Sequence, residues 1–294
     1  MHSHPYTGRL APSPTGLLHL GHARTFWTAH QRARSANGHL YLRNEDLDPQ
    51  RSKQEFVDAM REDLHWLGIT WDAELQQSQR IPLYYEALQQ LLRTGHAYPC
   101  ICSRKDLVQA TQAPHEDNDD DPIYNNHCRP LTNSGATGTA SGTRVSTPTQ
   151  TSEFHPNTNY RFRIPNNTPI TFTDANAGPQ TFTPTLDFGD FLIWRKPLTN
   201  DPADIGLPSY QLACVVDDAS THITEVVRGH DLLKSTARQI LLQRALALPT
   251  PQYFHCDLIR DEQGNRLAKR HDALSLRTLR ESGLTPAQVR AKFL

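Results

Sequence analysis

An α/β protein is what this sequence predicts, and three observations carry the prediction. Strand-like segments alternate with amphipathic helical ones in the N-terminal third, apolar runs suited to buried strands recur near residues 212–227, and short β-type segments cluster between residues 159 and 195. The length of 294 residues suggests two domains, and the hydrophobic content of 37% still permits a sizeable core. Lys+Arg total 30 against Asp+Glu 31, a net charge of −1, so any basic surface has to be local. The sequence contains no apolar stretch of about 18 residues, which excludes a membrane-spanning helix. The start, MHSHPYTGRLAPSPTG, lacks the cationic and apolar regions of a secretory signal. Five cysteines make an odd number, so free thiols or a metal in a reducing cytoplasm are expected rather than a disulfide framework.

In GHLYLRNED, Leu40 and Leu42 alternate with polar neighbours, predicting a short strand. KQEFVDAMREDLHWLG spaces Phe56, Met60, Leu64 and Leu67 as on a helix, with Gly68 as its stop. PLYYEALQQLLRTG repeats the pattern with Pro82 early, Leu88, Leu91 and Leu92 on one side, and Gly95 at the end. Residues 115–121 (HEDNDDD) are acidic, and residues 132–158 are so rich in Thr, Ser, Gly, Pro and Asn that a flexible insertion is expected there. RFRI, ITFT, TFT and FLIW are strand candidates, and LACVV and ITEVV read as buried strands. LLKSTARQILLQRALA predicts a helix closed by Pro249, DEQG a turn, and TPAQVRAKFL a last helix with Thr285 as N-cap and Pro286 at its first position.

The strongest chemical signal is APSPTGLLHLGHARTFW, residues 11–27. A Pro/Gly-rich loop running into a helix leaves backbone N–H groups and the positive dipole end for an anion. His19 and His22 share that first turn and can donate to charge developing on a phosphoryl group, while Gly21 leaves room for a flat group against the backbone. Two exposed histidines in an ordinary loop would be the default for a lone HxxH; the flanking PSPTG makes the string far more specific. Cys100 and Cys102, one residue apart, are followed by Cys128, which suits tetrahedral zinc with one position open to His127, Tyr124 or His115. Donor chemistry alone favours a histidine. Cys214 and Cys256 lie in apolar runs and are expected in the core.

HLGH resembles the HIGH signature of class I aminoacyl-tRNA synthetases, and RLAPSPTGLLHLGHART resembles the glutamate branch of that class. The similarity continues through YLRNEDLDPQRS, LPSYQLACVVDD, ITEVVRGHDLL and LIRDEQGNRLAKR, covering most of the chain outside residues 132–158. The resemblance implies a Rossmann-type catalytic core with a zinc-bearing insertion and a short C-terminal mixed segment. Its halves fall at residues 1–98 and 196–248, with the insertion at 99–195 and the segment carrying RLAKR at 249–294. It implies a glutamate pocket lined by Arg9, Leu10, Ala11, Pro12 and Ser13, with Arg9 gripping the side-chain carboxylate, Glu45 facing the ammonium, and Tyr210 and Arg228 as further contacts. Asn44 stands where an apolar residue is expected. The second class signature, KMSKS, is degenerate: Lys269 keeps its second lysine, while Arg266 and Ala268 replace the first lysine and the serine. ATP, with Mg²⁺, would then be held by His19, Gly21, His22 and Lys269. The resemblance also favours Tyr124 beside Cys100, Cys102 and Cys128 as the ligands of a structural zinc.

The chain ends some 25 residues after RLAKR, where discriminating synthetases continue into an anticodon-reading portion. That feature, with the Cys-x-Cys…Tyr…Cys set, resembles the glutamyl-queuosine tRNA(Asp) synthetase family. The resemblance implies tRNA-independent activation of L-glutamate by ATP, and transfer of the glutamate to queuosine in the anticodon loop of tRNA(Asp), by a cytoplasmic monomer. Three other readings compete: a glutamyl-tRNA synthetase fragment charging a tRNA 3′ end, a small-substrate nucleotidylyltransferase, and a catalytically inert tRNA-binding paralogue. The glutamate-pocket motifs oppose the second, and the presence of His19, His22 and Lys269 opposes the third.

Overall fold

Strand β1 (Thr7–Leu10) is buried along its whole length and pairs in parallel with β2 (His39–Asn44), which in turn pairs in parallel with β3 (Ala73–Gln76). The structure is a computed structural model that describes residues 5–102, 123–130, 153–166, 168–199, 201, 203–259 and 275–293. The predicted DEQG turn, the RLAKR loop, the acidic 115–121 patch and residues 132–152 of the expected insertion lie outside these residues.

Parallel strands need crossovers, and helices supply them. Helix α1 (Leu20–Ser35) joins β1 to β2 and buries Leu20, Ala23, Phe26, Ala29 and Ala33. Helix α2 (Gln54–Trp66) joins β2 to β3 and buries Val57, Met60 and Leu64, with Phe56 only half-buried. Gly68 follows at φ +79°, the left-handed position that glycine takes without strain. Helix α3 (Ile81–Arg93) places Pro82 in its first turn and buries Tyr84, Leu88, Leu91 and Leu92, matching the predicted stripe.

An antiparallel layer follows, as the β-rich composition of residues 159–195 predicts. Its order is β4 (Ala97–Cys100), β5 (Asn159–Phe162), β8 (Phe191–Arg195) and β9 (Leu207–Pro208). A separate hairpin pairs β6 (Ile170–Asp174) with β7 (Gly178–Phe182), and the short helix α4 (Pro184–Asp187) leads into β8.

One sequence expectation is corrected. LACVV is not a strand but the middle of helix α5 (Tyr210–Ser220). The helix packs against both α3 and α6 (Leu233–Leu246), so Leu212, Ala213, Cys214 and Val215 are all buried and the helical period is erased. Its start was nevertheless written in Ser209, whose hydroxyl accepts the Leu212 N–H at 3.5 Å.

ITEVV falls in β10 (Glu225–Gly229), which pairs in parallel with β11 (Gln252–Cys256). This pair abuts β1: Thr224 N–H donates to the Thr7 carbonyl at 2.9 Å, and Thr7 N–H to the Thr224 hydroxyl at 2.9 Å. Helices α7 (Leu276–Glu281) and α8 (Pro286–Arg290) close the described chain, the latter capped by Thr285 with Pro286 at its first position. No described helix is long and apolar enough to cross a membrane. All five cysteines are free thiols. The C-terminal ends of β1 and β10 meet beside the start of α1, and the cleft that α/β sheets reserve for ligands opens there.

Candidate active site

The cleft has a volume of about 570 Å³. Among its lining residues are Arg9, Ala11, Pro12, Ser13, His19, Gly21, His22, Glu45, Tyr210 and Arg228. These are ten of the twelve residues to which the family resemblance assigns substrate or ATP contacts. Leu10 is fully buried in the core beneath and does not line the cleft. Lys269 lies outside the described residues.

At the end of the cleft where α1 begins, His19 is the N-cap of that helix. Its Nδ1 accepts the Gly21 N–H at 3.1 Å, and the Nδ1 of His22 accepts the His19 N–H at 3.3 Å. An imidazole nitrogen that accepts carries no proton, so each neutral ring holds its proton on Nε2 and offers a donor there. The two rings stack with centroids 3.8 Å apart. A Cβ at Gly21 would come within 3.0 Å of the His19 ring, so only glycine leaves this arrangement undisturbed. The first turn of α1 contains no acidic residue, and its positive end is unopposed by any carboxylate there.

At the other end, three arginines and two carboxylates share a buried floor and wall. Arg43, 1% exposed, donates to Glu45 Oε1 from Nη2 at 3.0 Å and to Asp218 Oδ1 from Nη1 at 2.5 Å. Burial works against its charge, yet Asp218, Cys214, Glu45 and Asp217 together hold its pKa well above the usual arginine value. Burial pushes the Glu45 carboxyl up, opposed by Arg43 and Arg9. Cys214 Sγ–H donates to Glu45 Oε1 at 3.4 Å, and the Ser13 hydroxyl lies 3.5 Å from Oε2. Glu45 N–H donates to the Pro12 carbonyl at 3.0 Å, which ties the 11–13 loop to the end of β2. Arg9 donates from Nη1 to the Val227 carbonyl at 2.9 Å and sits 3.6 Å from Asp218, while its Nε has no hydrogen-bond partner among the described residues. Arg228 reaches the Tyr210 hydroxyl with Nη1 at 3.4 Å. Asp217 is served separately, by Arg80 Nε at 2.7 Å, Gln77 Nε2 at 2.8 Å and the Tyr84 hydroxyl at 3.0 Å. Arg9, Arg43, Arg80 and Arg228 against Glu45, Asp217 and Asp218 leave one formal positive charge, the sign that matches an amino acid with two carboxylates and one ammonium.

Arg43, Asp218, Cys214 and His255 escape a sequence-level reading. Arg43, Cys214 and Asp218 lie inside stretches that carry the resemblance, but no spacing marks them as partners, and they meet only because β2 and α5 converge; His255, on β11, contacts Arg228 instead. Asn44, the departure noted in the sequence, is buried with its Oδ1 unpartnered among the described residues.

The cysteine cluster lies apart from this cleft. Cys100, Cys102 and Cys128 place their sulfurs within 4.8 Å of one another, Cys102 and Cys128 at 3.5 Å. The Tyr124 hydroxyl stands 3.6 Å from both Cys100 and Cys102. Tetrahedral zinc with metal–sulfur bonds of about 2.3 Å separates its sulfurs by about 3.8 Å, so the donor set fits that ion. His127 is exposed and does not join the cluster, and His115 lies outside the described residues.

Residues 6–293 match the family model described as tRNA synthetases class I (E and Q), catalytic domain. A glutamyl-Q tRNA(Asp) synthetase of Symbiobacterium thermophilum is 42% identical over 291 residues, covering 96% of this chain and 83% of that one. A glutamate--tRNA ligase of Aquifex aeolicus is 39% identical and covers 95% of this chain, but only 54% of its own length is matched. A crystal structure of a glutamate tRNA ligase from Elizabethkingia meningosepticum, in complex with its amino acid, superposes with TM-score 0.70 at 25% identity, covering 96% of this chain and 54% of that one. The chain thus spans about half the length of the glutamate tRNA ligases it matches.

Proposed function

Because the chain belongs to the class I tRNA synthetases (E and Q), an enzyme family of ligases, we propose that it activates L-glutamate with ATP and passes the glutamyl group to the queuosine base of aspartate tRNA. The observation that supports activation is the cleft itself, where a charge-matched pocket for a dicarboxylic amino acid adjoins an anion-ready helix start. The support for the acceptor is the name carried by relatives that align over 96% of the chain, the Symbiobacterium protein among them.

In this reading Arg9 and Arg228 hold the glutamate carboxylates, Glu45 and the Tyr210 hydroxyl face the ammonium, and Ala11, Pro12 and Ser13 shape the entrance. The α-carboxylate oxygen attacks the α-phosphorus of ATP, the bond to the β-phosphate oxygen breaks, and pyrophosphate leaves. His19 and His22 donate from Nε2 to the charge that builds on the phosphoryl oxygens, with Lys269 as a further cation. Mg²⁺ carried by ATP supplies additional charge neutralisation. A hydroxyl of the queuosine cyclopentenediol then attacks the activated carbonyl, and AMP departs. Positioning and electrostatics do this work, without a protein-bound covalent intermediate. Zinc, bound by Cys100, Cys102, Cys128 and Tyr124, would staple the end of β4 to residues 123–130.

Glutamate-dependent exchange between ATP and labelled pyrophosphate, without RNA, tests the activation step. Exchange is expected with glutamate alone. A strict requirement for tRNA would instead favour a glutamyl-tRNA synthetase acting on a 3′ end, the reading suggested by the Aquifex relative.

A further inference from the structure

We propose that Asp174 and His255 are a positioning pair that fixes the Arg228 guanidinium for glutamate, so that the β6–β7 hairpin, far from the cleft in sequence, sets one wall of the pocket. The proposal rests on the assignment of Arg228 to the glutamate site.

The chain of contacts is continuous and buried: Arg228 is 4% exposed, Asp174 2%, and His255 and Thr236 0%. Asp174 ends β6, and its carboxylate accepts the backbone N–H groups of Asn176 at 3.0 Å, Ala177 at 2.7 Å and His255 at 3.1 Å. That carboxylate cannot turn away without abandoning three amides. Its Oδ2 also meets His255 Nδ1 at 2.6 Å. On the far side of the imidazole, Arg228 Nε lies 3.2 Å from His255 Nε2. A guanidinium can only donate, so Nε2 must accept, and the ring proton belongs on Nδ1, where the Asp174 carboxylate takes it. Donor and acceptor therefore alternate without conflict along Arg228, His255 and Asp174. Thr236 closes the bracket: its Oγ1 accepts from Arg228 Nη2 at 2.6 Å and lies 2.9 Å from His255 Nε2, to which its hydroxyl can donate. Nη1 is left pointing toward Tyr210 and the cleft. Burial and the Arg228 charge drive the His255 pKa down to about 4, which keeps this neutral tautomer in place at working pH.

Asp174→Asn is the sharpest test, because an amide nitrogen facing Nδ1 moves the ring proton to Nε2, where it opposes the Arg228 N–H. Exchange kinetics should show the glutamate KM raised about tenfold, with kcat and the ATP KM within twofold of wild type. His255→Leu should do the same. His255→Gln, which restores an acceptor at the reach of Nε2, should bring the glutamate KM closer to wild type than His255→Leu does. Thermal melting of each variant separates this effect from simple loss of stability, which would not single out glutamate. Arg228→Ala serves as the reference: an unchanged glutamate KM in that variant overturns both the pocket assignment and this proposal. If Arg228→Ala raises the KM while Asp174→Asn and His255→Leu leave it within twofold of wild type, the positioning pair alone is overturned. Should Asp174→Asn fail to fold, the comparison of His255→Gln with His255→Leu decides, and equal glutamate KM values for the two would overturn the pair.

Discussion

The floor of the cleft and the cysteine cluster are both buried and polar, but they balance charge in opposite ways. In the floor, Arg43 bridges Glu45 and Asp218, so each buried carboxylate meets a cation supplied by the chain itself. In the cluster, three thiols and a phenol converge, and the one described cation touching them is Arg161, whose Nε donates to Cys100 Sγ at 3.2 Å while its guanidinium covers the Tyr124 ring at 3.9 Å. One guanidinium cannot neutralise three thiolates, whereas a divalent ion and Arg161 together can. The floor is thus preorganised by internal ion pairs, whereas the cluster, in the zinc-bound reading proposed above, would depend on a ligand from outside. Stability and activity should respond differently when each is disturbed.

The largest effect is expected at the cluster. Cys100→Ser should abolish bound zinc in metal analysis and destabilise the protein by on the order of 5 kcal/mol, a fraction of the roughly 10–16 kcal/mol that zinc supplies to free finger peptides. Metal-free wild-type protein, with Cys100→Ser equally stable, would erase the contrast between the two regions.

Arg43→Leu attacks the floor. Removing the shared cation leaves Glu45 and Asp218 buried with only the more distant Arg9 to offset them, and the cost should be about 3–5 kcal/mol in denaturant unfolding, with zinc retained. Arg9→Ala removes a cation that lines the pocket and pairs only loosely with Asp218 at 3.6 Å. Its main effect should be on binding, a loss of about 2–3 kcal/mol that appears as a roughly hundredfold rise in the glutamate KM. A loss of stability without any change in glutamate KM would remove Arg9 from the site.

Asp63 sharpens the comparison, as a buried carboxylate lacking the partners that the floor provides. Neither oxygen has a hydrogen-bond partner among the described residues, and Arg280 approaches no closer than 3.7 Å. Burial raises its pKa to about 6. The folded state therefore binds a proton more tightly than the unfolded chain does, and the associated stability is present below about pH 4 and lost as pH rises through about 6. The raised pKa represents at most about 3 kcal/mol, from which the buried amide of Asp63→Asn subtracts its own desolvation. That variant should gain about 1–2 kcal/mol over wild type at pH 7.5 and show a flatter unfolding profile between pH 4 and 7. Parallel pH profiles for the two proteins would contradict the assignment.

Legibility followed sequence distance. The HLGH turn could be read directly, because His19, Gly21 and His22 are held by one another and by the start of their own helix. Motif resemblance named residues that the structure brings to one cleft, although the floor beneath them was not legible. Arg43 and Asp218 are 175 residues apart, and no local spacing announces that they meet. The same holds for Asp174 and His255, brought together only when the β6–β7 hairpin packs on β11. LACVV misled for a related reason, since a helix covered on both sides by α3 and α6 needs no polar face and reads like a buried strand. In the cluster, Tyr124 was favoured by resemblance over the histidines that donor chemistry prefers, and its hydroxyl stands beside the sulfurs while His127 faces solvent.

The central claim is that glutamate activated in this cleft is carried to queuosine. Its most direct test is the transfer of radiolabelled glutamate, with ATP, to aspartate tRNA with and without queuosine, each also supplied with its 3′-terminal adenosine removed. Label is expected only on the queuosine-containing tRNA, and it should persist when the terminal adenosine is absent. Equal labelling of queuosine-free tRNA, or label lost with the terminal adenosine alone, would contradict the account.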